Sequence, residues 1–131
     1  MGNIDWNNST PEEVYTRWKA LGELTGVYTH FALNGTRVVL KDIMPPTTTM
    51  AYKNWERFEK MYAPGQLKFD IVQSLLFIKC KTGWIATSRL SVDGKTTNKA
   101  VHFANGYHLL NAKEPRDEFK FVKIENKEAA N

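Results

Sequence analysis

The chain has a single cysteine among 131 residues, Cys80, which excludes an internal disulfide. With no second cysteine to share a metal, Cys80 is expected to be a small buried residue of a reducing compartment. Long apolar runs are missing too. No stretch approaches the ~20 apolar residues that a membrane helix needs. The start Met-Gly-Asn-Ile-Asp-Trp has neither the basic residues nor the apolar run of a secretory signal. Secretion and membrane spanning are therefore not expected, and a cytoplasmic location is. The sequons Asn8-Ser9-Thr10 and Asn34-Gly35-Thr36 then read as accidental, because glycosylation requires the secretory route.

Several chemical signatures are also absent. There is no phosphate-binding glycine loop, nucleophile elbow or dinucleotide fingerprint, so chemistry without a cofactor is expected. His30, His102, His108 and Cys80 have no spacing that reads as a zinc site, and no metal is expected. Repeats, low-complexity segments and linkers are lacking, which leaves one domain over 1–131. Residues 1–9 read as a flexible lead-in, from which Ile4 and Trp6 have the option of folding back. A chain this long buries roughly 68% of the surface its unfolded form exposes, so one core suffices. Charge of one sign is in small excess: 18 Lys and Arg against 14 Asp and Glu, a net +4. Nucleic-acid binding should gather basic residues on one face. Here they are scattered among acids along the sequence, so no nucleic-acid partner is expected.

What is present is a helical half followed by strand-like runs. Thr10-Pro11-Glu12-Glu13 offers an N-cap hydroxyl, proline at the first helical position and a capping-box glutamate, and Val14, Trp18 and Leu21 continue one stripe with Tyr15 beside it. Residues 27–33 are expected to form a second short helix ended by Asn34-Gly35. The β-branched run 36–43 predicts a strand with Val38, Leu40 and Asp42 on one face and Arg37, Val39 and Lys41 on the other. Pro45 and Pro46 stop it, and residues 50–62 are expected to be a helix with Ala51, Trp55, Phe58 and Tyr62 on its core stripe. Four runs follow. Residues 67–80 alternate with period two, 84–92 resume after a Lys81-Thr82-Gly83 turn, and Asp93-Gly94 suits a hairpin turn. Residues 100–110 and 118–124 supply the last two strands of a long curved meander.

This order gives an α+β layout in which a curved mixed or antiparallel sheet wraps around helices and leaves a cone. It resembles the NTF2-like (cystatin-like) superfamily, and within it the SnoaL-like and ketosteroid-isomerase-like enzymes. The best local stretch is Val38-Val39-Leu40-Lys41-Asp42, followed by a proline-rich turn and an aromatic helix. The resemblance implies a cofactor-independent isomerase or cyclase that rearranges a hydrophobic polycyclic intermediate of polyketide, terpenoid or alkaloid type. Asp42 falls where the isomerases keep their proton-shuttling carboxylate. The alternative for Asp42 is an Asx turn that ends the strand. Trp18 stands where the isomerases hold an oxyanion-binding tyrosine, a departure from the family pattern, since an indole N–H donates but cannot exchange a proton. Tyr15 or Tyr28 are the candidate replacements. On the third long strand, His102, Asn105, Tyr107 and His108 form the densest polar cluster, with His102 or Tyr107 as the opposing acid. Trp55, Phe58 and Phe77 would shape the substrate, and an inward Arg37 would hold its carbonyl. Arg37 and Arg89 have a second reading as surface ion-pair residues.

The resemblance also allows a non-catalytic module that binds a ligand or forms a dimer, because a fold does not fix a function. The discriminating feature is polarity inside the cone: a catalytic domain buries at least two titratable groups that converge on one void. A homodimer through the outer face of the sheet is expected.

Overall fold

A computed structural model describes residues 4–25, 27–33, 35–45, 59–71, 73–92, 98–106 and 120–123, without the side chains of 22–25 and 98. The elements in chain order are helix α1 (Pro11–Thr25), strands β1 (Val27–Phe31), β2 (Arg37–Ile43), β3 (Leu67–Asp70), β4 (Leu75–Lys79), β5 (Trp84–Val92) and β6 (Asn98–Lys99), helix α2 (Ala100–Gly106) and strand β7 (Phe121–Val122). The strands follow the order β3-β4-β5-β2-β1-β7, with β6 on β5, and every pairing is antiparallel.

The two ends of this order meet. Gln66 forms an antiparallel bridge with Lys120, and the Phe121 N–H donates to the Gly65 carbonyl at 2.8 Å. The sheet therefore closes on itself as a small barrel where the start of β3 meets β7. Its interior is filled by apolar side chains such as Val38, Leu40, Leu76, Ile78, Ile85 and Phe121, joined by Val14 of α1 and by Ala100, Phe103 and Ala104 of α2. A sheet closed around a packed interior is not a cone wrapped around a helix, and the NTF2-like expectation is wrong in this respect.

Three elements differ from their sequence reading, each for a local reason. Residues 27–31 form a strand: Val27, Thr29 and Phe31 are buried while Tyr28 and His30 are half-exposed, and Val and Thr favour the extended backbone. Residues 67–80 are two strands, because the chain reverses between Asp70 and Leu75, with Ser74 in the left-handed region at φ 55°. Leu67 and Phe69 face the main core in the first half and Leu76 and Ile78 in the second, so the inward parity changes across the reversal, which an alternation read straight through 67–80 does not show. Residues 100–106 are a helix, with Ala100, Phe103 and Ala104 buried at the i, i+3, i+4 spacing.

Other expectations hold. The capping box forms: the Thr10 N–H donates to Glu13 Oε1 at 2.9 Å, and the Glu13 N–H donates to Thr10 Oγ1 at 3.2 Å. The Thr10 backbone N–H, and then the Thr10 side chain, hold the Glu13 carboxyl below its ordinary value. Strand β5 has the bounds read from the sequence, and Gly83 turns into it at φ 79°. Cys80 is buried, and burial pushes its thiol up to about 12, which makes it unreactive at neutral pH. The lead-in takes its folded-back option in Ile4 and Trp6, both buried. The Ile4 N–H donates to the Tyr28 carbonyl. Trp6 Nε1 donates to Thr29 Oγ1 at 2.9 Å, and that hydroxyl donates to the Val122 carbonyl at 3.1 Å. The helix expected at 50–62 is seen only as a helical turn at 59–61; the rest of it, the Asp93-Gly94 turn and residues 107–110 lie outside the described residues.

A second apolar cluster, Tyr62, Phe77, Trp84 and Ala86, sits on the opposite face of β4 and β5, where Phe77 faces Ala86 and Lys79 faces Trp84. Lys79 is almost fully buried here. Its Nζ pairs with Glu59 Oε2 at 2.9 Å and donates to the Cys80 carbonyl at 2.8 Å, while both oxygens of Glu59 accept the Gly83 N–H. One carboxylate thus ties the helical turn at 59–61 to the β4–β5 turn.

Candidate functional site

The residues singled out in the sequence do not converge on a void. Irregular pairing with β5 between Leu40 and Ile43 interrupts the alternation of β2, so Ile43 turns inward and Asp42 stays half-exposed on the outer face. There Asp42 Oδ2 accepts the Ser88 hydroxyl at 2.8 Å and lies 3.8 Å from Arg89 Nε, which makes Arg89 the surface ion-pair residue of the second reading. His102 and Asn105 are exposed on α2, pointing away from Phe103. Tyr15 and Trp18 stack side by side at 5.9 Å on α1, with the Lys19 ammonium 5.7 Å from the Tyr15 ring, and both are half-buried against the core. Phe77 belongs to the second apolar cluster. Trp55, Phe58 and Tyr107 lie outside the described residues. Among the described residues no group of three His, Cys, Asp or Glu side chains is placed to hold a metal, and no helix is long and apolar enough to cross a membrane.

The fold does bring together Tyr28 and Arg37. Strand parity puts Tyr28 and His30 on the outer face of β1, and the pairing of His30 with Arg37 brings the β2 guanidinium across to them. It lies 4.1 Å from the centre of the Tyr28 ring, a stacked cation–π arrangement. His30 meets Tyr28 edge-on at 5.9 Å and 85°, and its buried Nδ1 has no hydrogen-bond partner among the described residues. Further along the same face, Lys41 follows Arg37 and Val39 on β2, Arg89 faces Asp42 on β5, and Lys99 of β6 faces Arg89. Arg37, Lys41, Arg89 and Lys99 thus lie along one outer face, with Arg89 beside the Asp42 carboxylate and Arg37 at the other end of β2. These cations are far apart in sequence, and the β1–β2–β5–β6 order brings them onto one face.

Burial, and then the charge of Arg37, hold the His30 imidazole below its ordinary value of 6.5. The unfolded chain then binds this proton more readily than the folded one, so the group makes stability rise with pH. Its penalty is fully expressed below the lowered folded value and vanishes above 6.5. His30→Gln is expected to flatten this dependence. Urea midpoints at about pH 5 and about pH 7.5 check it: acidification should cost wild type more than the variant.

The sequence offered one signal for this face, the alternation Val27-Tyr28-Thr29-His30-Phe31, which assigns Tyr28 and His30 to one side only if the segment is read as a strand.

The result is a closed antiparallel barrel with an apolar interior, whose outer face carries Tyr28, His30, Arg37, Arg89 and Lys99. The family model described as formyl transferase, C-terminal domain, matches residues 1–108, and the chain belongs to that family. This overturns the NTF2-like and SnoaL-like assignment and with it the cyclase or isomerase activity. Membership places the chain with an enzyme family, the transferases. No curated protein matches the chain.

Proposed function

We propose that this chain serves formyl transfer by holding the acceptor, and that the acceptor is carried on a nucleic acid. One observation carries the reading: Arg37, Lys41, Arg89 and Lys99 share an outer face with Tyr28 and His30, against a single described carboxylate. A phosphate backbone is recognised by a row of cations with aromatic side chains between them. Small β-barrels commonly present such rows on a strand face. The apolar interior is consistent with the same reading, because it leaves the polar side chains, Asp42 and His102 among them, on the outside where an extended ligand would bind.

The test is the affinity of the purified protein for a labelled single-stranded RNA of about twelve nucleotides across salt. With roughly four phosphate contacts the slope of log K against log salt is about −2.8, or roughly a fiftyfold loss between ~50 mM and ~200 mM. Lys99→Ala and Arg89→Ala, at exposed positions, should each reduce the slope by about 0.7. In formyl transfer the same substitutions are expected to raise the acceptor KM and leave kcat unchanged, as the loss of uniform binding does. An affinity that ignores salt, or slopes that survive both substitutions, would overturn the reading.

A further inference from the structure

We infer that the Tyr28–Arg37 stack makes this face selective for unpaired nucleotides, with a nucleobase lying on the free side of the Arg37 guanidinium. The inference rests on the acceptor reading above and adds to it which form of nucleic acid is bound. Cations alone do not distinguish a single strand from a duplex, because both offer phosphates. A flat surface does, because only an unpaired base has a face to give it. The structure supplies that surface ready-made. The Arg37 guanidinium carbon lies over the Tyr28 ring, 4.1 Å from its centre, and Arg37 is exposed, so the ring holds the group where an incoming base can reach it. His30, edge-on to Tyr28 at 85°, braces the ring from the neighbouring position of the strand. Lys41, Arg89 and Lys99 extend the face along β2, β5 and β6, where the backbone leading to a stacked base would run. A base placed on Arg37 completes a ring–guanidinium–base sandwich whose charge is shared between two π faces.

The experiment compares the affinity of the protein for a single-stranded RNA of about ten nucleotides with that for the same sequence as a blunt duplex, at one salt concentration, in wild type, Arg37→Lys and Tyr28→Leu. Lysine keeps the charge and removes the plane, and Arg37 is exposed, so this variant folds. Wild type should prefer the single strand by roughly tenfold. Arg37→Lys should bring the ratio close to one while keeping the salt slope, and Tyr28→Leu should do the same. Equal affinity of wild type for both forms, or a preference that survives Arg37→Lys, would overturn the inference while leaving the acceptor reading in place. If wild type shows no salt-dependent binding of either form, the acceptor reading fails and this inference falls with it.

Discussion

Gly65→Ala is expected to destabilise the domain by at least about 3 kcal/mol. Gly65 has φ 91°, a conformation that a side chain adopts only under strain. A Cβ there would also collide with the carbonyl oxygen of Phe121. That atom is backbone, on the strand that closes the barrel, and it cannot swing aside. The Gly65 carbonyl accepts the Phe121 N–H, and the Gly65 N–H donates to the Lys79 carbonyl, so any shift that relieves the clash pulls on β4 and β7 together. For a domain of this size 3 kcal/mol corresponds to a fall of about 10 °C in Tm, which thermal unfolding by circular dichroism would read. A variant that melts within a degree or two of wild type would mean that the ends of the sheet are not joined at this point.

Glu59→Ala is expected to cost about 3 kcal/mol through a different cause. The Lys79 side chain is 3% exposed and that of Glu59 23%, so removing the carboxylate leaves a buried ammonium whose remaining partners among the described residues are the Cys80 and Lys81 carbonyls. The Gly83 N–H loses its acceptor as well. The partial exposure of Glu59 lets water replace some of the loss, which places the effect at the low end of the range for broken buried pairs. Adding Lys79→Met to Glu59→Ala should recover a good part of it, since an apolar side chain of similar length suits the neighbourhood of Tyr62, Phe77 and Trp84. Denaturant midpoints of both variants check this. A double variant no more stable than Glu59→Ala would show that the buried charge is not what the single substitution costs.

Parts of this fold were legible in the sequence where a local chemical rule acted alone. The Thr10 to Glu13 capping box and strand β5 need no tertiary information. The errors fall where two rules compete. Residues 27–31 sit between glycines and carry aromatics at helical spacing, yet β-branched Val27 and Thr29 and pairing with β2 decide for a strand. Residues 100–106 offer Val101 and Phe103 as an apparent alternation, but burial of Ala100, Phe103 and Ala104 against β4 and β5 decides for a helix. With those two elements exchanged, the same chain reads as helices followed by a meander, and the cone architecture followed from that count. The likeness on which it rested, Val38 to Asp42 with a proline turn, is too short to tell one β architecture from another. Its implied general base is moved to the surface by an irregularity that no alternation predicts.

The candidate site was partly legible. Tyr28 and Arg37 are both legible as candidates, but as a replacement hydroxyl and a carbonyl-holding guanidinium inside a cone. Their contact follows from a strand pairing that the helical reading of 27–33 hides. Lys41, Arg89 and Lys99 looked scattered because charge interleaving is judged along the sequence. Antiparallel pairing brings positions 37, 41, 89 and 99 onto one surface regardless of what lies between them.

The most direct test of the acceptor reading is a titration of isotopically labelled protein with a short single-stranded RNA, followed by backbone and side-chain NMR. The expected result is that shifts gather on Tyr28, His30, Arg37, Lys41, Arg89 and Lys99 and weaken together as salt is raised. Shifts confined to other surfaces would contradict it, such as the groove of about 400 Å³ between Asp5–Asn8 and Lys120–Lys123. So would a spectrum that RNA leaves unchanged at low salt.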